Sequence, residues 1–197
     1  MFKNYIIVIG GSAGAITALD NLLSPLPADF PATILIVVHI PPTPISRLPQ
    51  VISHFTKIPV VNPFNGLPLE SNRIYVAPSN VHMIIENDTI YLKHSPKINK
   101  CRPAIDPLFL SAAYHHENRV IGILLSGLLN DGSAGLKEIK EHKGITIIQS
   151  LEEAEYPDMP KNAAQNTTID HCLPTHDIAS LLIKYINNPL PPLNSNK

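Results

Sequence analysis

The sequence is poor in the features that mark special classes of protein. Only two cysteines, Cys101 and Cys172, occur in 197 residues. They do not make a disulfide framework, and both read as ordinary reduced thiols. No run of 18 apolar residues is present, so no segment reads as a transmembrane helix. Met1-Phe2-Lys3-Asn4 leads straight into an apolar run without the pattern of a secretory signal. The formal net charge of −1 gives no basic excess of the kind nucleic-acid partners require. Among nine histidines there is no His-x-x-x-His pair, and no Cys-x-x-Cys occurs, so neither a metal site nor a cofactor is expected. His115 and His116 are adjacent and diverge on a helix; they and the rest read as surface or loop histidines. These absences predict a cytoplasmic protein with no nucleic-acid partner and no membrane insertion.

What is present is an ordinary globular composition, 44% apolar and 16% charged. Its length fits one domain, expected over residues 1–187, able to bury a sizeable core. Twenty prolines gather in the connections. The proline- and asparagine-rich tail, 188–197, is expected to be disordered. The organising stretch is Tyr5-Ile6-Ile7-Val8-Ile9-Gly10-Gly11-Ser12-Ala13-Gly14-Ala15. Its apolar, largely β-branched run reads as a buried strand of a parallel sheet. The turn spells Gly-x-Ser-x-Gly, and a helical pattern over Ala13–Leu23 follows. Such a turn at a sheet's carboxyl edge is where open α/β sheets bind ligands. Three readings fit it: a packing turn with Ser12 as helix N-cap, a phosphate or dinucleotide loop, or a nucleophile elbow.

Further buried strands are predicted at Thr33–Val38, Val120–Leu125 and Ile145–Gln149. Helices are predicted at Ile45–Phe55, Ile105–His116, Ser133–Lys143 and Ile178–Ile186, with a helical turn at Asn162–Gln165. Between Pro59 and Ser95 the runs shorten: Val60-Val61, Arg73–Val76, Met83–Glu86 and Thr89–Leu92. They predict a small antiparallel excursion, with Asn87-Asp88 as a hairpin turn. The fold class is therefore α/β, a doubly wound, mainly parallel sheet with helices on both faces and a small antiparallel hairpin excursion.

Three parallel strands end in chemically unusual residues. Ser12 follows the first, His39 ends the second, and Asp131 follows the strand beginning at Val120. Parallel strands put their carboxyl ends on one edge, which would gather a nucleophile, a base and an orienting acid. Each has a simpler reading: Ser12 or Asp131 as a helix cap, His39 as a strand end bonded to backbone. The order Ser, His, Asp also departs from the Ser, Asp, His of α/β-hydrolases. The dinucleotide reading is weaker, because no Asp or Glu lies between Asp29 and Glu70 to hold a ribose.

These residues carry a resemblance. From Tyr5 to Tyr185 the chain is similar to the catalytic domain of the CheB chemotaxis protein-glutamate methylesterases. The matching pieces are Ile9-Gly10-Gly11-Ser12-Ala13-Gly14, His39-Ile40-Pro41-Pro42, Tyr75-Val76-Ala77-Pro78, His82-Met83 and Arg102-Pro103-Ala104-Ile105-Asp106. Leu125-Ser126-Gly127, Asn130-Asp131-Gly132-Ser133-Ala134-Gly135-Leu136 and Met159-Pro160 complete them. The resemblance implies hydrolysis of glutamate γ-methyl esters on a methylated chemoreceptor-like protein in signal transduction, and in related members glutamine deamidation. It places the catalytic triad on Ser12, His39 and Asp131. The amides of Ala13 and of Leu128 or Leu129 become the oxyanion candidates, and Asp106 becomes a structural helix opener. Where the family usually has Ser-Thr-Gly-Gly, this chain has Ser12-Ala13-Gly14-Ala15. Gly-Met-Gly is here Gly127-Leu128-Leu129, Ser79 replaces a glycine, and Asp158-Met159-Pro160 replaces Gly-Met-Pro. The family's amino-terminal receiver domain is not in this sequence, so a separate response regulator or methyltransferase is the expected partner. The altered turns also support a second reading, a catalytically weak methylesterase-like binding or regulatory module.

Overall fold

A computed structural model of the protein describes residues 4–41 and 46–187. Along the chain run β1 (Ile6–Gly11), α1 (Ala15–Leu23), β2 (Thr33–Val38), α2 (Leu48–Ser53), β3 (Val60–Val61), β4 (Leu67–Pro68), β5 (Arg73–Val76), β6 (His82–Glu86), β7 (Thr89–Lys93) and α3 (Ile105–His116). Then come β8 (Val120–Leu124), α4 (Ser133–Glu141), β9 (Ile145–Gln149), α5 (Asp158–Asn166), β10 (His171–Leu173) and α6 (Thr175–Asn187). Seven strands pair in parallel in the order β10-β9-β8-β1-β2-β5-β3. β1, β2, β8 and β9 are buried at every position. That is why their sequences are unbroken apolar runs.

The pleat divides these runs between two cores. Ile7, Ile9, Ile34 and Ile36 pack with Leu19 and Leu22 of α1 and with Ile178 and Leu182 of α6. Ile6, Val8, Leu35 and Val37 pack on the other face with Leu108 and Phe109 of α3 and with Leu136 and Ile139 of α4. Each fully buried Ile, Leu or Val contributes about 1.5–3 kcal/mol of transfer free energy. The fold is the expected doubly wound, mainly parallel α/β sheet with a small antiparallel sheet beside it.

Some elements differ from expectation. β3 and β5 belong to the main parallel sheet, and only β4, β7 and β6 form the antiparallel one. A four-residue run such as Arg73–Val76 carries too little periodicity to reveal that Ile74 and Tyr75 face opposite cores. The Asn87-Asp88 turn is the expected hairpin, with φ of 48° and 61°. α5 starts at Asp158, four residues before the predicted turn, because Pro160 falls in its first turn, where proline is tolerated. α6 begins at Thr175, and the short edge strands β4 and β10 carry no recognisable pattern. The helix expected from Ile45 is observed as Leu48–Ser53. Ile45 itself, the preceding Pro42–Pro44 and the tail 188–197 lie outside the described residues.

The expectation of surface or loop histidines fails at two positions. His82 is buried between the Ala104 amide and the Pro96 carbonyl. His116 is 2% exposed at the end of α3, with Nε2 3.7 Å from Asp88 Oδ1. His116 has polar neighbours in His115 and Glu117, and only tertiary packing reveals its burial, whereas His82 lies between the apolar Val81 and Met83. Both cysteines are free thiols, Cys101 half-buried and Cys172 exposed. Among the described residues no helix is long and apolar enough to cross a membrane.

Candidate active site

β1 lies between β8 and β2 in the sheet. The three residues singled out by strand ends therefore follow three adjacent strands. Backbone pairing continues past the regular ladder on both sides of Ser12. The Ser12 amide donates to Ser126 O at 2.9 Å, and the His39 amide donates to Gly11 O at 3.1 Å. Neighbouring strands run about 4.8 Å apart, so Ser12 and His39 are held side by side. The chain leaves β1 through Gly14, whose φ of 76° suits glycine, and α1 begins at Ala15. Gly127 closes the site from the β8 side. A Cβ there would lie 2.1 Å from Met159 Sδ and 2.8 Å from Ser12 Cβ.

His39 Nε2 meets Asp131 Oδ2 at 2.7 Å. His39 is 14% exposed and Asp131 is 2% exposed at the side chain. Asp131 accepts four further bonds: from the Ile105 amide on Oδ2 at 2.7 Å, and on Oδ1 from Asn99 Nδ2 at 2.8 Å and the amides of Gly132 and Asp106 at 3.1 and 3.2 Å. Burial pushes its carboxyl up, but the bonds from His39, Ile105 and Asn99 outweigh burial and hold it below its ordinary value. An ionised carboxylate only accepts, so Nε2 carries the proton of this bond.

Asp106 stands behind this pair. Its Oδ1 accepts the Gly135 amide at 2.8 Å, and its Oδ2 accepts the same Asn99 amide group at 2.9 Å. Burial raises the Asp106 carboxyl to about 6; the Gly135 amide opposes this and the nearby Asp131 charge adds to it. Asp106 opens α3 and makes no hydrogen bond to His39 among the described residues. Asn99 went unrecognised in a stretch that reads only as a polar loop. It occupies the first central position of a tight turn closed by two Ile98–Cys101 backbone bonds, with φ of 50° at Asn99 and 65° at Lys100. Asn is among the few side chains that adopt such φ readily, and that is the only sequence signal it offers.

Neither Ser12 nor Asp131 caps the helix that follows it, although Asp131 does accept the first two amides of α3, from Ile105 and Asp106. The N-caps of α1 and α4 are Gly14 and Gly132, neither with a side-chain cap bond. The His39 ring bonds a carboxylate and not backbone. His39 and Asp131 are brought into contact; Ser12 lies alongside, with no hydrogen bond from its Oγ to His39 among the described residues. The Ala13, Leu128 and Leu129 amides donate to no protein acceptor among the described residues. Leu129 keeps φ at 69°, a conformation that favours glycine, and its side chain is 60% exposed. Ser126, which the sequence offers only as part of the Leu125-Ser126-Gly127 piece, braces the turn: its Oγ donates to Ala13 O at 2.8 Å and accepts the Tyr156 amide at 2.9 Å. Among the described residues no three His, Cys, Asp or Glu side chains gather as a metal site.

The sequence profile of the CheB methylesterase family matches residues 7–182. The chain belongs to the CheB methylesterase family. A relative from Leptospira interrogans serogroup Icterohaemorrhagiae is 36% identical over 185 residues, covering 93% of this chain and 96% of its own. The protein-glutamate methylesterase/protein-glutamine glutaminase 2 of Anaeromyxobacter dehalogenans is 33% identical over 177 residues, 90% of this chain and 52% of that one. This chain thus spans about half the length of some relatives and nearly all of others. The crystal structure of the Thermotoga maritima CheB methylesterase catalytic domain superposes with a TM-score of 0.89 at 30% identity, covering 94% of this chain and all of that one. Residues Ser12, His39 and Asp131 of this CheB-family chain all fall inside the matched span.

Proposed function

We propose that this chain is a serine hydrolase that removes methyl esters from glutamate side chains of chemoreceptor-like proteins. The observation that carries the reading is the His39–Asp131 hydrogen bond set beside the Ser12 turn at the sheet's carboxyl edge. Ser12 is the nucleophile, His39 the base and then the acid, and Asp131 the group that orients the imidazole. The reaction requires Ser12 Oγ to reach His39 Nδ1, a movement we assign to a change of Ser12 χ1 between staggered wells, a picosecond-to-nanosecond event. Oγ attacks the ester carbonyl as its proton passes to Nδ1. The tetrahedral oxyanion is met by the amide of Ala13 and one from Leu128 or Leu129. Collapse expels the methoxy group, which takes the proton from Nδ1 and leaves as methanol. Water then attacks the acyl-serine, with His39 again as base, and regenerates Ser12 and a free glutamate. The same cycle on a glutamine carboxamide would release ammonia.

This chemistry needs no cofactor. It belongs in the cytoplasm, beside the receptor's signalling portion, with a separate response regulator or methyltransferase as partner. The test is methanol release from a methyl-esterified receptor fragment. Ser12→Ala and His39→Ala are expected to lose roughly 10³-fold or more, the scale on which other triads fail. Undiminished methanol release by Ser12→Ala overturns the reading.

A further inference from the structure

A cleft of about 260 Å³ adjoins the His39 side of the site, with Pro41, Lys97, Lys100 and Arg102 among its walls. Its charge is unusual for a chain of net charge −1. The three cations lie in a stretch that holds no Asp or Glu between Asp88 and Asp106, whereas Arg73, Lys93, Lys137 and Lys140 pair with Glu70, Glu86, Glu141 and Asp170. Lys97, Lys100 and Arg102 make no ion pair among the described residues. Arg102 spends its donors on neutral oxygens, Asn80 Oδ1 at 3.1 and 2.7 Å and Ser95 O at 2.7 Å, so its position is fixed and its charge is not offset.

The lysines are displayed by a rigid device. The Ile98–Cys101 turn that sends Asn99 inward to Asp131 carries Lys100 at its second central position and Lys97 just before it. A lysine at φ of 65° is uncommon for a residue with a side chain, and non-glycine residues held there cluster at functional sites. Across the Ser12 turn the sign reverses. A Cβ on Gly14 would lie 3.1 Å from Glu155 Oε2, which places an acidic group on the β8–β9 side. The site therefore has a cationic flank and an acidic flank, a field able to align a charged partner before contact.

We infer that the Lys97–Lys100–Arg102 wall is a docking surface for an acidic polypeptide segment, the carboxylates that neighbour the reacting ester on the substrate protein. The inference rests on the proposed esterase reading for the identity of that segment. Its chemistry follows from the reaction: every turnover converts an ester to a glutamate, so a surface bearing several such esters accumulates carboxylates around those that remain. On a helix the neighbours lie one turn, about 5.4 Å, from the reacting group, within reach of long flexible lysines at the cleft.

The experiment measures binding and does not depend on turnover. The probe is a fluorescein-labelled 20-residue helical peptide with glutamates four residues either side of a central glutamine, beside a twin with glutamines at those positions. Anisotropy titrations use the full chain, wild type, Lys97→Gln/Lys100→Gln and Lys97→Glu/Lys100→Glu, each checked for an unchanged melting temperature. Wild type is expected to favour the acidic peptide by about 5-fold to 20-fold, the scale of a few partly exposed pairs. The neutral double variant should lose most of that preference and the acidic double variant should invert it. One molar salt, where the Debye length is about 3 Å, should erase it. Equal binding of the two peptides by wild type overturns the inference, as does a preference untouched by both double variants. So does complete displacement of the acidic peptide by millimolar inorganic phosphate at constant ionic strength, which would mark a phosphate site. Binding of the acidic peptide without methanol release from its esterified form would sustain the wall as a docking surface for an acidic segment, while defeating the esterase reading and with it the identity of that segment.

Discussion

Replacing Asn99 by glycine isolates what a single amide contributes to the candidate site. Asn99 sits at φ of 50°, which glycine adopts without strain, so the backbone of the turn is kept. Alanine there would add roughly 1 kcal/mol of left-handed backbone cost. Glycine removes two bonds to carboxylates, 2.8 Å to Asp131 and 2.9 Å to Asp106. Such bonds contribute about 1.5–3 kcal/mol each when buried. Asn99 lies at the surface, where water replaces part of that, and a loss of about 2 kcal/mol is expected at pH 8. The sign with pH follows from the two carboxyls. Asp131 is held below its ordinary value, so its contribution is present above the unfolded pKa and fades as pH falls through the folded one. Asp106 is raised to about 6, so its cost of ionisation is present above that pH and relieved as pH falls toward its ordinary 3.8. At pH 5 Asp106 carries a proton that can itself bridge toward Asp131, and the loss in Asn99→Gly should shrink to about 1 kcal/mol. Because Asn99 lowers both carboxyls, its removal should also move the acid limb of the pH–rate profile upward. Urea unfolding at pH 8 and pH 5, with the pH dependence of ester hydrolysis, reads both effects. An equal loss at the two pH values with an unmoved acid limb would refute the idea that Asn99 manages the charge behind His39.

Gly127→Ala is expected to cost about 1–3 kcal/mol of stability, because its methyl group would meet Met159 Sδ at 2.1 Å and Ser12 Cβ at 2.8 Å. Ester hydrolysis should fall with it as Ser12 is displaced, which single-turnover kinetics would detect. His116→Leu should flatten the acid side of the stability curve. Burial pulls His116 from 6.5 to about 4, so the wild type loses on the order of 3 kcal/mol between pH 7.5 and pH 4 for that group alone. Both ring nitrogens lack hydrogen-bond partners among the described residues, so the leucine variant should match wild type near pH 7.5 in urea unfolding.

The parallel sheet was legible because β1, β2, β8 and β9 are buried on both faces, which leaves unbroken apolar runs. Their common direction also made an edge carrying Ser12, His39 and Asp131 foreseeable. β3 and β5 were legible as strands but not as members of the parallel sheet, and the edge strands β4 and β10 were not legible at all, because two to four residues hold no readable period. Asn99 was hidden for another reason. Its role depends on a turn that brings a polar loop onto a carboxylate 32 residues away. His116 was misjudged because its burial is decided by Asp88 and the β6–β7 hairpin, and neither adjoins it in sequence.

The most direct test of Ser12 as nucleophile is covalent capture. The folded wild-type chain is incubated with a fluorophosphonate ester and its peptides are mapped by mass spectrometry. The account predicts one phosphonyl adduct, on Ser12, formed far more slowly when His39 is alanine. A folded protein that acquires no adduct, or one whose adduct sits on another serine, would contradict it.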